Sequence, residues 1–154
     1  MILSDNQIEE LLKKELLRIE DYTEDNLTPN GYDLTIDEIS LEGEDPVDKG
    51  EITIPAKTWF AVSTREYVKF PSNVVGELWI RTTWARKGVL ASFGMIDAGF
   101  EGNLTLSAYN TSREITMPIG ETFAQMVFHL LDQKSDKSYE ERSGNYQRSK
   151  GINL

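Results

Sequence analysis

The sequence has no cysteine and a single histidine. The lack of cysteine excludes disulfides, thiolate nucleophiles and cysteine-ligated zinc, and it fits an intracellular protein. A single histidine also argues against a serine–histidine catalytic pair and against a histidine-based metal cage. Because this residue, His129, lies in an apolar stretch, we expect it to have a structural role.

Long apolar runs are missing too. A membrane-spanning helix needs about 18 or more apolar residues in succession, and no window of the sequence approaches that length. The apolar residues before Ser4 are too few for the apolar part of a signal peptide. We therefore expect a cytoplasmic protein without a membrane partner.

Acidic residues outnumber basic ones by 26 to 16, which gives a net charge of −10. A negative field repels polyanions, so a nucleic-acid polymer is not expected as a partner. Two segments reverse this sign, because residues 78–96 and 142–154 contain basic but no acidic side chains. They predict local binding of a small, highly charged anion, although chance clustering on a solvated face is the alternative.

The order of residues along the chain predicts a short helix followed by β-structure. Ser4 and Gln7 form a capping-box pattern, and Ile8, Leu11 and Leu12 follow with helical spacing. Beyond this helix, short apolar runs alternate with turn signals, which favours a sandwich or barrel. The predicted strands cover residues 32–36, 51–54, 59–64, 75–81, 103–110, 114–117 and 123–131.

The length of 154 residues suits one domain. We expect residues 1–132 to form this domain, with an exposed acidic loop at residues 43–50. Residues 133–154 are polar and offer little to bury, so they predict a mobile C-terminal tail.

One segment combines two arginines with two hydroxyls. Residues 80–88 contain Arg81, Thr82, Thr83 and Arg86 at the end of a predicted strand. Arginine forks match phosphate oxygens and hydroxyls can donate to them, so this segment suggests a phosphate site. Arginine and threonine are also common on strands, and an ordinary strand end is the alternative.

A second segment, residues 94–102, has Asp97 among apolar residues and between Gly94 and Gly99. Glycines let the backbone approach a ligand closely, and the N–H and C=O groups of a strand edge could read a base. Taken alone, the segment is better explained as a bulged hairpin with an exposed aspartate. It therefore needs further support before it indicates a nucleotide site.

Together, IRTTWARKG at 80–88 and GMIDAGFEG at 94–102 resemble two motifs of the dUTPase and dCTP deaminase superfamily. The companion motifs are present in the expected order, as NGYDL at 30–34, GETFAQM at 120–126 and GNYQ at 144–147. The opening MILSD is typical of the deaminase branch. The chain is thus identified as a member of this superfamily over nearly its whole length.

The resemblance implies an all-β fold, a distorted β-barrel of the dUTPase-like β-clip type with a short N-terminal helix. It also implies a homotrimer whose active sites are shared between subunits, with the tail at 133–154 closing over each site. The implied substrate-binding residues are Arg81, Thr82, Thr83, Arg86 and Gln125 for the triphosphate, Gly94, Met95 and Ile96 for the pyrimidine, Phe100 for the deoxyribose, and Tyr146 and Arg148 from the tail.

By the same resemblance, Asp97 is the catalytic residue, which would bind the 3′-hydroxyl and orient the attacking water. The ring of Phe100 would leave no space for a 2′-hydroxyl. The implied cofactor is Mg²⁺, because it neutralises phosphate charge that two arginines cannot neutralise alone. Asp33 would support this metal indirectly, through water.

One position distinguishes the two branches of the superfamily. In dCTP deaminases that work without a metal, a glutamate follows the motif aspartate by ten residues, and counting from Asp97 that position is Ser107. Serine has no carboxylate to move protons, and zinc-dependent deamination needs thiolate ligands that this chain lacks. We therefore predict a dUTP diphosphatase that converts dUTP to dUMP and pyrophosphate, which limits uracil in DNA and supplies dUMP.

Other features keep alternatives open. The tail lacks the glycine-rich closing motif of typical dUTPases, and Arg148 and Ser149 stand where the deaminase branch usually has Gly-Gln. A dCTP deaminase, or a bifunctional dCTP deaminase and dUTPase, is one alternative. A non-catalytic deoxynucleotide-binding regulator is the other.

Overall fold

The computed structural model describes residues 1–154 and consists mainly of short antiparallel β-strands. The helices are α1 (Asp5–Lys13), α2 (Thr82–Ala85) and α3 (Tyr139–Arg142). The strands are β1 (Arg18–Ile19), β2 (Leu27–Thr28), β3 (Gly31–Leu41), β4 (Glu51–Ile54), β5 (Thr58–Thr64), β6 (Val68–Lys69), β7 (Val74–Ile80), β8 (Val89–Ala91), β9 (Met95–Ile96), β10 (Glu101–Gly102), β11 (Thr105–Asn110), β12 (Ile115–Pro118) and β13 (Thr122–Leu130).

Helix α1 begins with the predicted capping box. The backbone N–H of Ser4 donates to the Gln7 side chain over 3.0 Å, which satisfies a donor that the helix itself leaves free. Asp5 in the first turn and Lys13 in the last turn suit the helix dipole, and Ile8 is fully buried against the sheet domain. The predicted N-terminal helix is therefore confirmed.

The large sheet has the strand order β8–β11–β5–β3–β13–β7–β9, and β2 pairs with β3 at its margin. A second sheet has the order β1–β6–β10, and β4 pairs with β12 in a third. The curled large sheet encloses one apolar core whose largest members include Tyr32, Phe60, Phe123 and Phe128. The predicted all-β, barrel-like fold is confirmed.

All the predicted strands are present, but β3 is longer than the predicted strand at 32–36. Asp37 and Glu38 interrupt its apolar pattern, and its pairing with β5 shifts in register between Ile36 and Glu38. Such a bulge lets a strand continue past residues that periodicity alone indicates as its end. Strands of two or three residues, such as β8 and β9, carry too little pattern to be predicted.

Two smaller features also agree with the sequence. Residues 43–50 are exposed apart from Val47, which forms an isolated bridge with Ile39. His129 lies on β13, and its Nε2 is 2.8 Å from Oε2 of Glu77 on the neighbouring strand β7. This contact ties two strands together and is consistent with a structural histidine.

None of the helices is long and apolar enough to cross a membrane.

The tail at residues 133–154 lies against the rest of the chain. Tyr139 of α3 is only 9% exposed, and its ring packs edge-on against Phe100 with the centroids 5.5 Å apart. The Gln147 side chain donates to the carbonyl of Gly99 over 3.3 Å. Tyr139 is the only buried residue of the tail, so the tail buries little, as expected, but this one ring holds the polar segment against Phe100. Its mobility stays a prediction.

Glu66, which follows β5, is a buried carboxylate with 1% of its surface exposed. Its Oε2 accepts the backbone N–H of Thr35 over 2.9 Å. Its backbone oxygen accepts from the Thr64 hydroxyl at 3.1 Å and from the Asn103 amide at 3.1 Å. Burial raises the pKa of Glu66 above its ordinary value, and the hydrogen bond from Thr35 opposes this shift only in part.

Glu66→Gln is expected to become more stable relative to the wild type as the pH rises. Because the pKa of Glu66 is raised in the folded chain, its contribution to stability is complete below its ordinary pKa of 4.5 and is lost as the pH rises through the folded pKa. Glutamine keeps an acceptor for Thr35 and does not titrate. Thermal unfolding of both proteins from about pH 4 to about pH 8 measures the difference, and a pH-independent difference would contradict this account.

Candidate functional site

A polar row crosses three neighbouring strands of the large sheet. Gln125 of β13 is in register with Asp33 of β3 on one side and with Trp79 of β7 on the other. The Nε2 of Gln125 donates to Oγ1 of Thr28 over 3.0 Å. Asp33 is 9% exposed, whereas Trp79 is 58% exposed. The row therefore presents an amide and a largely buried carboxylate beside an exposed ring.

Arg81 lies beside this row and is held at several atoms. Its Nε lies 3.0 Å from Oδ2 of Asp33, and its Nη1 donates to Oγ1 of Thr122. Its backbone N–H donates to the carbonyl of Phe123 over 3.0 Å. Burial raises the pKa of Asp33, whereas the Arg81 guanidinium acts in the opposite direction. The remaining nitrogen, Nη2, is available to an anion.

Helix α2 and its C-cap residue supply three more predicted triphosphate ligands at the same end of β7. Arg81 is its N-cap residue. The predicted ligands Thr82, Thr83 and Arg86 are all exposed. Trp84 is buried and donates from Nε1 to the carbonyl of Thr122 over 2.9 Å, which fixes the helix against β13. The structure thus gathers the predicted phosphate ligands, including Gln125, at one end of the sheet.

A separate cleft of about 610 Å³ lies along β9, β11 and the tail. Its lining includes these predicted substrate-binding and catalytic residues: Gly94, Met95, Ile96, Asp97, Phe100 and Tyr146. Small-molecule sites usually measure about 300–1,000 Å³, so this cleft has a volume that suits a nucleoside. The structure therefore brings together the residues expected to hold the base and sugar.

Asp97 is the only acidic residue that lines this cleft. It is exposed, and its carboxylate takes part in none of the ion pairs of the chain. Its backbone carbonyl accepts the N–H of Phe100 over 3.1 Å, which fixes the turn that carries both residues. The carboxylate is thus free to accept hydrogen bonds from water or from a ligand hydroxyl.

Ser107 lines the same cleft. Burial alternates along β11, because successive side chains of a strand point to opposite faces. Leu106 and Ala108 face the core, and Ser107 is exposed between them. The position that carries a glutamate in the resembled deaminases therefore opens on the cleft, but it presents a hydroxyl.

Within one chain, the phosphate ligands and the cleft are separate. Neither Arg81 nor the other predicted triphosphate ligands line the cleft. On β7, Leu78 lines the cleft, and Ile80 two residues later precedes Arg81. At roughly 3.3 Å per residue, Leu78 and Ile80 are about 7 Å apart, so Arg81 lies just beyond the cleft and not within it. The absence of the phosphate ligands from the cleft lining is compatible with an active site that combines residues of two copies.

Arg148 also lies outside the cleft lining. Its Nη1 is 3.2 Å from Oε1 of Glu140, and both side chains are exposed. An exposed pair of this kind holds an arginine only weakly, so Arg148 can exchange Glu140 for another anion. Its role in substrate binding stays a prediction.

The residues present fit a magnesium ion that arrives on the substrate phosphates. No three acidic or histidine side chains come together to form a metal cage. Mg²⁺ commonly keeps several waters and uses one or two carboxylates together with substrate phosphates. One oxygen of Asp33 is engaged with Arg81, and the other can accept a hydrogen bond from a metal-bound water. This arrangement is compatible with the predicted indirect role of Asp33.

Two residues that shape these sites are not indicated by the sequence motifs. Thr122 lies within the GETFAQM motif and contacts Arg81, and Tyr139 lies in the polar tail and packs on Phe100. A hydroxyl inside a motif and an isolated ring in a polar segment are the available signals. Neither signal indicates which residue is contacted, because both contacts join positions far apart in the sequence.

Comparison with known proteins covers most of the chain. A family model described as dCTP deaminase-like matches residues 37–131. A dCTP deaminase from Thermococcus kodakarensis is 40% identical over 147 residues, which cover 93% of this chain and 92% of the relative. Other dCTP deaminases from Pyrococcus and Thermococcus species have similar identities. A probable deoxyuridine 5′-triphosphate nucleotidohydrolase from Sulfolobus islandicus rod-shaped virus 1 is 32% identical over 157 residues, covering 100% of this chain and 98% of the relative.

Solved structures share the fold at lower identity. The 2′-deoxycytidine 5′-triphosphate deaminase from Agrobacterium tumefaciens has a TM-score of 0.73 at 18% identity, covering 84% of this chain and 48% of that chain. A mutant dUTPase from phage phi11 of S. aureus, whose structure reveals the coordination of a structural Mg(II) ion, has a TM-score of 0.55 at 18% identity, covering 82% of this chain and 98% of that chain. The extent of the family match and the identity to the Thermococcus relative show that this chain belongs to the dCTP deaminase-like family, within the superfamily that also contains the dUTPases.

Proposed function

We propose that this chain is a dUTP diphosphatase, which hydrolyses dUTP to dUMP and pyrophosphate with Mg²⁺. The observation that carries the proposal is that Asp97 is the only acidic residue lining the cleft, while Ser107 occupies the deaminase glutamate position. One carboxylate can orient and deprotonate a water. Deamination must in addition move protons to the pyrimidine ring and to the departing ammonia, which a serine hydroxyl does poorly at neutral pH.

In the proposed reaction, water attacks the α-phosphorus of dUTP. Asp97 accepts a proton from this water as the new oxygen–phosphorus bond forms, and the bond between the α-phosphorus and the α,β-bridging oxygen breaks. Pyrophosphate leaves, and Arg81 and Arg86 stabilise the negative charge that it carries. Bound Mg²⁺ supplies further neutralisation of phosphate charge.

The proposed site is shared between copies of the chain in a homotrimer. The cleft of one copy would hold the base and sugar, and the Arg81 end of β7 from a neighbour would hold the triphosphate. The phosphate ligands do not line the cleft of their own chain, which supports this arrangement. The tail of residues 133–154 would close the site, since Tyr146 lies at the cleft. We expect the enzyme to act in the cytoplasm, on nucleotides rather than on nucleic-acid polymers.

The second candidate function is dCTP deamination, alone or combined with dUTP hydrolysis. The names of the similar relatives favour it, because those near 40% identity are dCTP deaminases. The viral relative at 32% identity is named a probable dUTP hydrolase, so relatives that align with 90% or more of this chain carry the names of both activities. Deamination here would require a proton carrier other than the missing glutamate. The substrate that distinguishes the two candidates is dCTP.

Purified protein with Mg²⁺ is expected to convert dUTP to equal amounts of dUMP and pyrophosphate, and to leave UTP unchanged. Phe100 lines the cleft, and in the proposed sugar-contacting role its ring would collide with a 2′-hydroxyl. Chromatography of the nucleotides with a pyrophosphate assay measures both products, and excess EDTA is expected to stop the reaction. Formation of dUMP without pyrophosphate, or equal rates with UTP, would contradict the proposed cleavage or the proposed role of Phe100.

A further inference from the structure

We infer that Thr122 is a positioning residue for Arg81, whose hydroxyl fixes the guanidinium so that its Nη2 edge faces the triphosphate. This inference rests on the proposed function for the role of Arg81. The contact between Nη1 of Arg81 and Oγ1 of Thr122 joins two residues that lie 41 positions apart in the sequence. Asp33 holds Nε of the same guanidinium, so two of its three nitrogens have protein partners.

The backbone around Thr122 directs its side chain toward Arg81. The pairing of β13 with β3 shifts in register between Thr122 and Ala124, which is a bulge. Bulges redirect side chains next to active sites, because the extra residue turns the strand locally. The carbonyl of Thr122 accepts the Nε1–H of Trp84, and the carbonyl of the next residue, Phe123, accepts the backbone N–H of Arg81. Strand and helix α2 are therefore locked around the arginine.

The two contacts on Arg81 have different chemical consequences. Asp33 neutralises the charge of Arg81, which by itself lowers the attraction for phosphate. Thr122 accepts a hydrogen bond without adding negative charge, so it orients the guanidinium at no electrostatic cost to phosphate binding. Holding a fork in its binding geometry raises affinity, because less side-chain freedom is lost when the ligand arrives.

Thr122→Val tests the inference, since valine keeps the shape and β-branching of threonine but lacks the acceptor. Isothermal titration with inorganic tripolyphosphate is expected to give a dissociation constant raised about tenfold, as for loss of a hydrogen bond to a charged group. The KM for dUTP is expected to rise by a similar factor. Thr122→Ser should remain within about twofold of the wild type, because it restores the hydroxyl.

Thr116→Val is the matched control. Thr116 is exposed on β12, so this substitution makes the same chemical change outside the site. Thr122→Ala is a second variant without the acceptor, and the backbone contact with Trp84 is retained in both. Wild-type tripolyphosphate affinity in Thr122→Val, or a Thr122→Ser variant as weak as Thr122→Val, overturns the inference. If tripolyphosphate binding depends on Thr122 but dUTP is not hydrolysed, the inference stands and the proposed function fails.

Discussion

Asp97→Asn is expected to lower kcat for dUTP hydrolysis by about 10²–10⁴-fold, the usual contribution of a positioned general base. Asparagine has nearly the same shape and can still contact the 3′-hydroxyl, but it cannot accept a proton from water. Asp97 is exposed and free of ion pairs, so the substitution leaves no buried partner unsatisfied and folding should be unaffected. The loss should therefore appear in turnover rather than in stability.

Binding separates this role from a structural one. The affinity of Asp97→Asn for a non-hydrolysable dUTP analogue is expected to stay within about threefold of the wild type. Asp45→Asn is the matched control, because it removes the same charge from the exposed loop at residues 43–50 and should keep full turnover. Full turnover in Asp97→Asn, or equal losses in kcat and in analogue affinity, would remove Asp97 from the catalytic role.

A mixture of two inactive variants is expected to recover activity if the sites are shared. Asp97→Asn damages the cleft, and Arg86→Ala damages the phosphate end of a neighbouring copy. Arg86 is exposed and makes no ion pair, so its loss should not disturb folding. In trimers assembled from equal amounts of both variants, about one site in four receives both intact residues, because each comes from a different subunit.

The measurement is dUTP turnover after the two variants are unfolded together in urea and refolded as a mixture. About a quarter of wild-type turnover is the expected result, against nearly none for either variant refolded alone. Analytical ultracentrifugation of the same samples reports whether trimers have formed. Trimers whose activity never exceeds that of the separate variants would mean that Asp97 and Arg86 act from the same chain.

The elements that the sequence predicts well are those with local signals. The capping box of Ser4 and Gln7 starts α1 as predicted, since its contacts lie within one turn. The strands that alternate or carry continuous apolar runs also appear where they are expected. The motif around Asp97 lines a cleft, as the resemblance implies, because its backbone turn is encoded by neighbouring residues.

The features that the sequence does not reveal depend on tertiary contacts. Arg81 and Asp33 are 48 residues apart, and nothing in either motif states that they form an ion pair. The bulge at Thr122 follows from the pairing of β13 with β3, so its effect on Arg81 is visible only in the folded sheet. Tyr139 anchors the tail because Phe100 presents a ring to it, which composition cannot indicate.

The positions of the carboxylates also depend on tertiary contacts and not on local sequence signals. The chain carries 26 acidic residues, yet Asp97 alone lines the cleft. Asp33 is engaged with Arg81, and Glu66 is buried against Thr35. The position of each carboxylate, rather than their number, therefore limits the chemistry that the cleft can perform.

The most direct measurement incubates the purified protein with dCTP and with dUTP side by side and identifies every nucleotide product. With dUTP, the account predicts dUMP and pyrophosphate. With dCTP, it predicts no dUTP, no dUMP and no released ammonia, because the cleft offers one acidic side chain and a serine at the second position. Deaminated product from dCTP would contradict the account. So would a protein that binds phosphate but leaves dUTP intact.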